Sequence, residues 1–570
     1  MKSLRKISLH FMLALSLVVF GTNAFAQSDP SGTSAVTKTF AITNATVIAK
    51  PGTEMTEATV VVKNGLIVNV GKNVIIPADA EVIDASGLYV YPAFIDGMSN
   101  TGAKRPENPQ RPQNLFTPDP PNDYAGITPE NSVVAQMDIS SSSIGNMRKV
   151  GFGISHTVPY GRMLPGSGSL ILLNDAEHMD DILMAKDVSL YSQFVGAPGA
   201  YPGNILGIMA KFRNLYKNAE LHKRHVELYA QNPVGMERPT NDRVSYAFHP
   251  VISKEKAIMF DVDEMLDVRR ALRLKNELGF NIMVAGVKQG WDVVDELKAA
   301  NANVFLSLDL PDEPKDSKDE DKSEEVKNLE VRRMEFYKKY VTQAGDMEKA
   351  GVPFGFSAEG ASANKIKENV MTLIENGLSE NAALAALTVN PANAFGIGQV
   401  VGTVEAGKMA NLMVSTAPYF TKDSQIKMMF VDGDKHVYDI KEKKAKKEGD
   451  DMAEETSSAD AGAYGAILGS WSYVFEVPGQ EQTGKMIIKM ENGMLTGVLT
   501  SDNGDPDQDI SDVNFRDGEL AFTMAIDAGG QSVEIVVEGS VDGKAYDANA
   551  SIEQINVSFP LSATKDDDGK

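Results

Sequence analysis

A long central alternation constrains this chain most. Between residues 92 and 396, short apolar runs recur among segments with helical spacing. The runs are Ile154–Val158, Ser169–Leu173, Ala257–Phe260, Asn281–Ala285, Asn303–Leu308 and Pro353–Phe356, while Asp263–Leu278 and Ala382–Leu387 carry the helical pattern. Such alternation predicts parallel βα units, and the most economical closed form of these is a (β/α)8 barrel. Two polar segments interrupt it. Ala103–Pro129, rich in Pro and Asn, reads as an extended loop, and Pro311–Val326, dominated by Asp, Glu and Lys, as a solvated insertion.

The flanks read differently. Residues 38–91 carry short β-branched runs, among them Thr59–Val62 ahead of the hairpin signal Asn64-Gly65. Residues 397–440 add β-like stretches at Leu412–Val414 and Met428–Val431, with Asp432-Gly433 as a turn. A polar linker follows over 441–462. From 463 to 566 alternating strands and turn signals at Asn492-Gly493, Asp517-Gly518 and Asp542-Gly543 predict a separate antiparallel barrel or sandwich. Its opening Gly469-Ser470-Trp471 faintly resembles lipocalin-like domains, with Trp471 either a core plug or part of a ligand pocket.

The 570 residues carry a formal charge of −23, with 78 acidic against 55 basic side chains. That balance argues against a nucleic-acid partner, which requires a basic footprint. Cys is absent, which excludes disulfides, thiolate metal ligands and a Cys nucleophile. Residues 1–26 have the form of a secretory leader: Lys2, Arg5 and Lys6, an apolar run from Phe11 to Phe20, then Ala24-Phe25-Ala26. The run is short for a membrane span. The expectation is a periplasmic or secreted protein with no membrane span in its mature form.

Two segments carry a family resemblance. Val82–Asp96 (VIDASGLYVYPAFID) resembles the strand that leads into the first barrel strand of the amidohydrolase superfamily, in particular its imidazolonepropionase-like, exported members. Leu387–Ala392 followed by Val401–Leu412 (VGTVEAGKMANL) resembles the segment found after that barrel. The resemblance implies a TIM barrel plus a β-sandwich composed from both flanks, a small-molecule substrate and hydrolysis of C–N bonds. It also implies a divalent metal, often Zn²⁺, held by His side chains at strand ends with an Asp on the last strand.

At those positions this sequence departs from the family. Met98 and Asn100 stand where a first-strand His-x-His pair is implied, and both are weak ligands for Zn²⁺. Asp261 and Asp263 replace imidazoles on the fifth strand, Gly286 replaces one on the sixth, and Glu359 takes the place of the catalytic Asp. Asp261 and Asp263 share a strand face and form either a hard-cation site or, for Asp263, a helix cap. The mature chain has six histidines. His156 reads as a pocket residue or a satisfied core histidine, and His222 with His225 as a metal pair or a solvated helix face. Pro159–Gly168 is a Gly-rich loop carrying Arg162. Ala197–Asn204 precedes a helix whose N-terminus offers backbone N–H groups to an anion, although glycines in tight turns explain both loops as well.

The site expected is therefore Glu359 as catalytic carboxylate, with Met98, Asn100, His156, Arg162, Asp261, Asp263 and Gly286 as pocket residues. No metal ligand is assigned, and the cofactor remains unknown. Two functions follow: a hydrolase with a reduced metal site, or an inactive relative serving as a ligand-binding or partner subunit, alone or in an oligomer with an intact homologue.

Overall fold

A computed structural model describes residues 38–440 and 464–566, except 107–108, 110, 312, 315–322, 465–466 and short stretches of the C-terminal part at 478–479, 492–493, 503–507, 517, 528–531 and 553–556. The leader, the linker and the Asn492-Gly493 turn lie outside the described residues. The chain divides into two compact units, residues 1–442 and 443–570.

In the first unit, sixteen strands among the described residues form two sheets. The flanking sheet runs β16 (Asp434–Val437), β15 (Ile426–Val431), β14 (Leu412–Ser415), β5 (Tyr89–Pro92), β1 (Thr39–Lys50), β2 (Thr53–Lys63), β3 (Leu66–Gly71), with β4 (Glu81–Asp84) paired to β1. Strands from both ends of the unit meet where β14 pairs β5 antiparallel, Leu412 opposite Pro92. The turns fall where the sequence marks them. Asn64-Gly65 and Asp432-Gly433 all have positive φ, the backbone of a tight two-residue hairpin.

The second sheet orders its strands as they occur in the chain: β6 (Phe94–Ser99), β7 (Phe152–Thr157), β8 (Gly166–Leu172), β9 (Leu183–Gln193), β10 (Ala257–Asp261), β11 (Ile282–Val287), β12 (Asn303–Ser307) and β13 (Phe354–Ser357). β6, β7, β8, β11 and β13 are buried along their whole length, as a barrel wall packed on both faces requires. Side-chain bonds bring the last strand against the first: Ser357 Oγ donates to Met98 O at 2.8 Å, and Ala358 N–H donates to Asp96 Oδ1 at 2.9 Å.

One expectation is corrected. The barrel is not wholly parallel, because β8 runs antiparallel to both β7 and β9. The cause is connection length. Residues 158–165 are too few for the crossover that a parallel neighbour needs, so the chain reverses directly.

The C-terminal unit is a closed antiparallel barrel of eight strands between Gly469 and Lys565. Its interior is filled by Trp471, Tyr546, Phe522, Met486 and their neighbours. Trp471 is fully buried, and its Nε1–H donates to Ile467 O at 2.9 Å, which makes it a core plug rather than a pocket wall.

Candidate active site

The C-terminal ends of barrel strands open on one mouth, where active sites of this architecture form. There β6 delivers Met98 and the following Asn100, β9 Tyr191, β10 Asp261, β11 Gly286 and β13 the following Glu359. Five of the eight residues named from sequence, Met98, Asn100, Asp261, Gly286 and Glu359, come together here, with Asp263 beside them.

Glu359 and Asn100 are bonded: the Asn100 N–H donates to Glu359 Oε2 at 3.0 Å. Burial, and after it the charge of Asp261, push the Glu359 carboxyl up to about 7, against the pull of that N–H. Asp261 accepts the Tyr191 hydroxyl at 2.9 Å. Burial and the neighbouring Asp263 raise Asp261 to about 6. Two acidic groups at the mouth therefore exchange protons near neutral pH, each able to donate or accept. Asp263 is more exposed, and its carboxyl is also raised by burial, with Lys288 opposing.

Gly286 explains why the sixth strand carries no side chain. Its φ is +72°, and a Cβ there would lie 2.7 Å from Asp261 Oδ1 and 3.6 Å from Asp263 Oδ1. Both carboxylates thus converge on the same point, as their shared strand face implied.

The donor set decides whether a divalent ion of the family kind fits. Met98 is fully buried among Tyr191, Met283 and Phe305. The Asn100 amide donates to Val158 O at 2.8 Å, a structural bond that ties β6 to the end of β7. Gly286 has no side-chain donor atom to give. Among the described residues no group of three His, Asp or Glu side chains is arranged to hold an ion. The residues present do not fit such a metal site.

Several sequence expectations resolve otherwise. His156 is a core residue, not a pocket residue. Its Nδ1 lies 3.1 Å from Gly97 O, its Nε2 2.9 Å from Ser189 Oγ, and its ring lies 4.7 Å from that of Phe395. Burial lowers its pKa to about 4. Asp263 does not cap the following helix: Glu264 occupies the N-cap of Met265–Leu278 and makes no side-chain cap bond. His222 does not pair with His225 but faces His249, Nδ1 to Nε2 at 3.1 Å, while its Nε2–H reaches Thr240 O. The helix after Ala197–Asn204 is capped by its own chain, since Gly207 N–H donates to Asn204 Oδ1. Arg162 lines a separate cavity beside the mouth.

Two residues of the site escaped the sequence reading. Tyr191 was hidden in a strand whose aromatic ring reads as core. Asp96 is fully buried and ties the first strand to the second and the last through Ser155 and Ala358. The signal for Asp96 was a carboxylate closing an apolar strand.

The barrel with its flank-built sheet is the architecture seen in solved amidohydrolase structures. The amidohydrolase family model matches residues 281–435. The fold is similar to an amidohydrolase from Thermotoga maritima, at 20% identity over 70% of this chain and 99% of that one, with a TM-score of 0.57. A Xaa-Pro dipeptidase with bound methionine (12% identity, 70% and 100% covered, TM-score 0.42) and phenylurea hydrolase B (15%, 70% and 96%, 0.42) also match. No curated protein sequence matches the chain.

Proposed function

We propose that this chain is an exported member of the superfamily, of the imidazolonepropionase-like kind, whose barrel mouth binds a small polar molecule without metal-assisted hydrolysis. The observation that carries the reading is the use made of the first-strand positions. Met98 is spent on apolar packing and the Asn100 Nδ2–H on a backbone bond, and a thioether and a carboxamide oxygen are both weak ligands for Zn²⁺. The Glu359 and Asp261 carboxyls give the mouth a hydrogen-bonding pair suited to a polar ligand. Export rests on the leader-like residues 1–26. A barrel of this kind serves as a binding subunit, alone or beside an intact homologue. The acidic balance argues against nucleic acid, and among the described residues no helix is long and apolar enough to cross a membrane.

The competing reading, a hydrolase of C–N bonds with a reduced metal site, draws on the family match over residues 281–435. A panel of N-acyl amino acids, cyclic amides and carbamates, incubated with the mature full chain and added Zn²⁺ or Mn²⁺, separates the two. The proposal expects no metal-dependent turnover. Turnover that a chelator abolishes and Zn²⁺ restores would establish the hydrolase instead.

A further inference from the structure

A cavity of about 400 Å³ lies beside the mouth. It is built from the Pro-rich loop after β6 and the Gly-rich loop between β7 and β8, and it shares no residue with the carboxyl pair. Arg105 and Arg162 both line it. Some guanidinium groups of this acidic chain meet carboxylates, as Arg213 and Arg273 do on Glu277, Arg269 on Glu296 and Arg148 on Asp175. Arg105 and Arg162 form no ion pair among the described residues. Arg105 lies over the Tyr160 ring at 4.9 Å, and Arg162 Nη1 donates to Tyr124 O at 3.3 Å. Two guanidinium groups without a direct carboxylate contact face one cavity, and their planar forks of N–H donors match carboxylate geometry.

Hydrogen bonds hold part of the described wall. Gln136 Oε1 accepts the Tyr160 N–H at 3.0 Å, and the Thr128 hydroxyl donates to Pro165 O at 3.3 Å. Gly126 has φ +71°, and a Cβ there would lie 2.4 Å from that of Arg162, so only glycine lets the arginine pass. The lining also sets the ligand's character. Asp123 at the rim opposes a dianion more strongly than a monoanion, while the faces of Tyr160 and Pro165 offer apolar surface to an organic body.

We propose that this cavity binds a small organic monocarboxylate, its carboxylate held between Arg105 and Arg162 and its apolar body against Tyr160. The inference goes beyond the function proposed above and stands whether or not the mouth is catalytic.

Calorimetric titration of the mature full chain with sodium benzoate, at ionic strength fixed with chloride, tests it. Saturable binding is expected, weakened at least tenfold by Arg105→Gln and by Arg162→Gln and unchanged by the surface control Arg332→Gln. Arg105 is exposed, so its variant reports on binding even if Arg162→Gln fails to fold. Absence of benzoate binding, equal binding by wild type and Arg105→Gln, or tighter binding of inorganic phosphate than of benzoate would overturn it.

Discussion

The Asn100 N–H donates to Glu359 Oε2 at 3.0 Å, and the Glu359 N–H in turn donates to Met98 O at 3.2 Å. A residue just past the last strand is thereby tied to Met98 near the end of the first strand and to Asn100 just beyond it. In this chain those positions hold the barrel together where the family resemblance implies an ion. Asp96 reinforces the seam, accepting both the Met98 and the Ala358 N–H groups.

A first prediction concerns pH. Glu359 and Asp261 have native pKa values raised to about 7 and about 6, above ordinary carboxyl values of 4.5 and 3.8. The native state keeps protons that the unfolded chain has already released. Their contribution to stability is full below the ordinary values and is lost as pH rises through about 7 for Glu359. Glu359→Gln removes this loss and keeps an acceptor for the Asn100 N–H. At pH 8 the variant should be more stable than wild type, on the order of 1–2 kcal/mol, with the gap closing near pH 4. Urea unfolding at both pH values checks this. A variant destabilised equally at both would contradict it.

Gly286→Ala should destabilise the barrel by about 2 kcal/mol or more. Positive φ strains any side chain there, and the added Cβ meets Asp261 Oδ1. Asp261→Ala in the same chain should recover the steric part and leave the backbone strain. Unfolding of the two single variants and the double variant measures the coupling. Strict additivity would mean that the two residues do not touch.

His156 should behave as core. Its lowered pKa means that the native state binds fewer protons than the unfolded one, so its contribution is lost as pH falls from about 6.5 towards 4. Histidine NMR of the folded protein should show one ring that stays neutral at pH 5.5. His156→Ala should cost on the order of 2–4 kcal/mol through the void and the orphaned Ser189 and Gly97 groups. A ring titrating near 6.5 would return His156 to the pocket.

Restoring imidazoles should create the site the chain lacks. Met98→His with Asn100→His places two nitrogen donors beside Asp261 and Glu359, at some loss of stability from burying rings in an apolar cluster. Added Zn²⁺ should then raise the melting temperature of the double variant and not that of wild type. Equal shifts in both would show that wild type already holds the ion by other means.

Much of this architecture was legible because it rests on local patterns. The Asn64-Gly65 and Asp432-Gly433 turns, the β-branched flanks and the apolar barrel runs each fix their own geometry. Strand direction was not legible, since an apolar run has the same period whichever way it points. Only the brevity of residues 158–165 encodes the reversal at β8. At the site, the family resemblance at the strand ends led to Met98, Asn100, Asp261 and Glu359. Strand-end position did not suffice for His156, whose side chain faces the packed interior, nor for Tyr191, whose hydroxyl matters only once β9 lies beside β10. Arg105 belongs to a loop with no periodicity at all.

In the function proposed above, Met98 serves packing and Asn100 strand tethering, and neither grips a divalent ion. Elemental analysis of the mature protein, purified without chelators and dialysed against Zn²⁺, tests it most directly. The account predicts metal far below one ion per chain. One or more tightly held ions per chain, lost on substitution of Asp261 or Glu359, would contradict it.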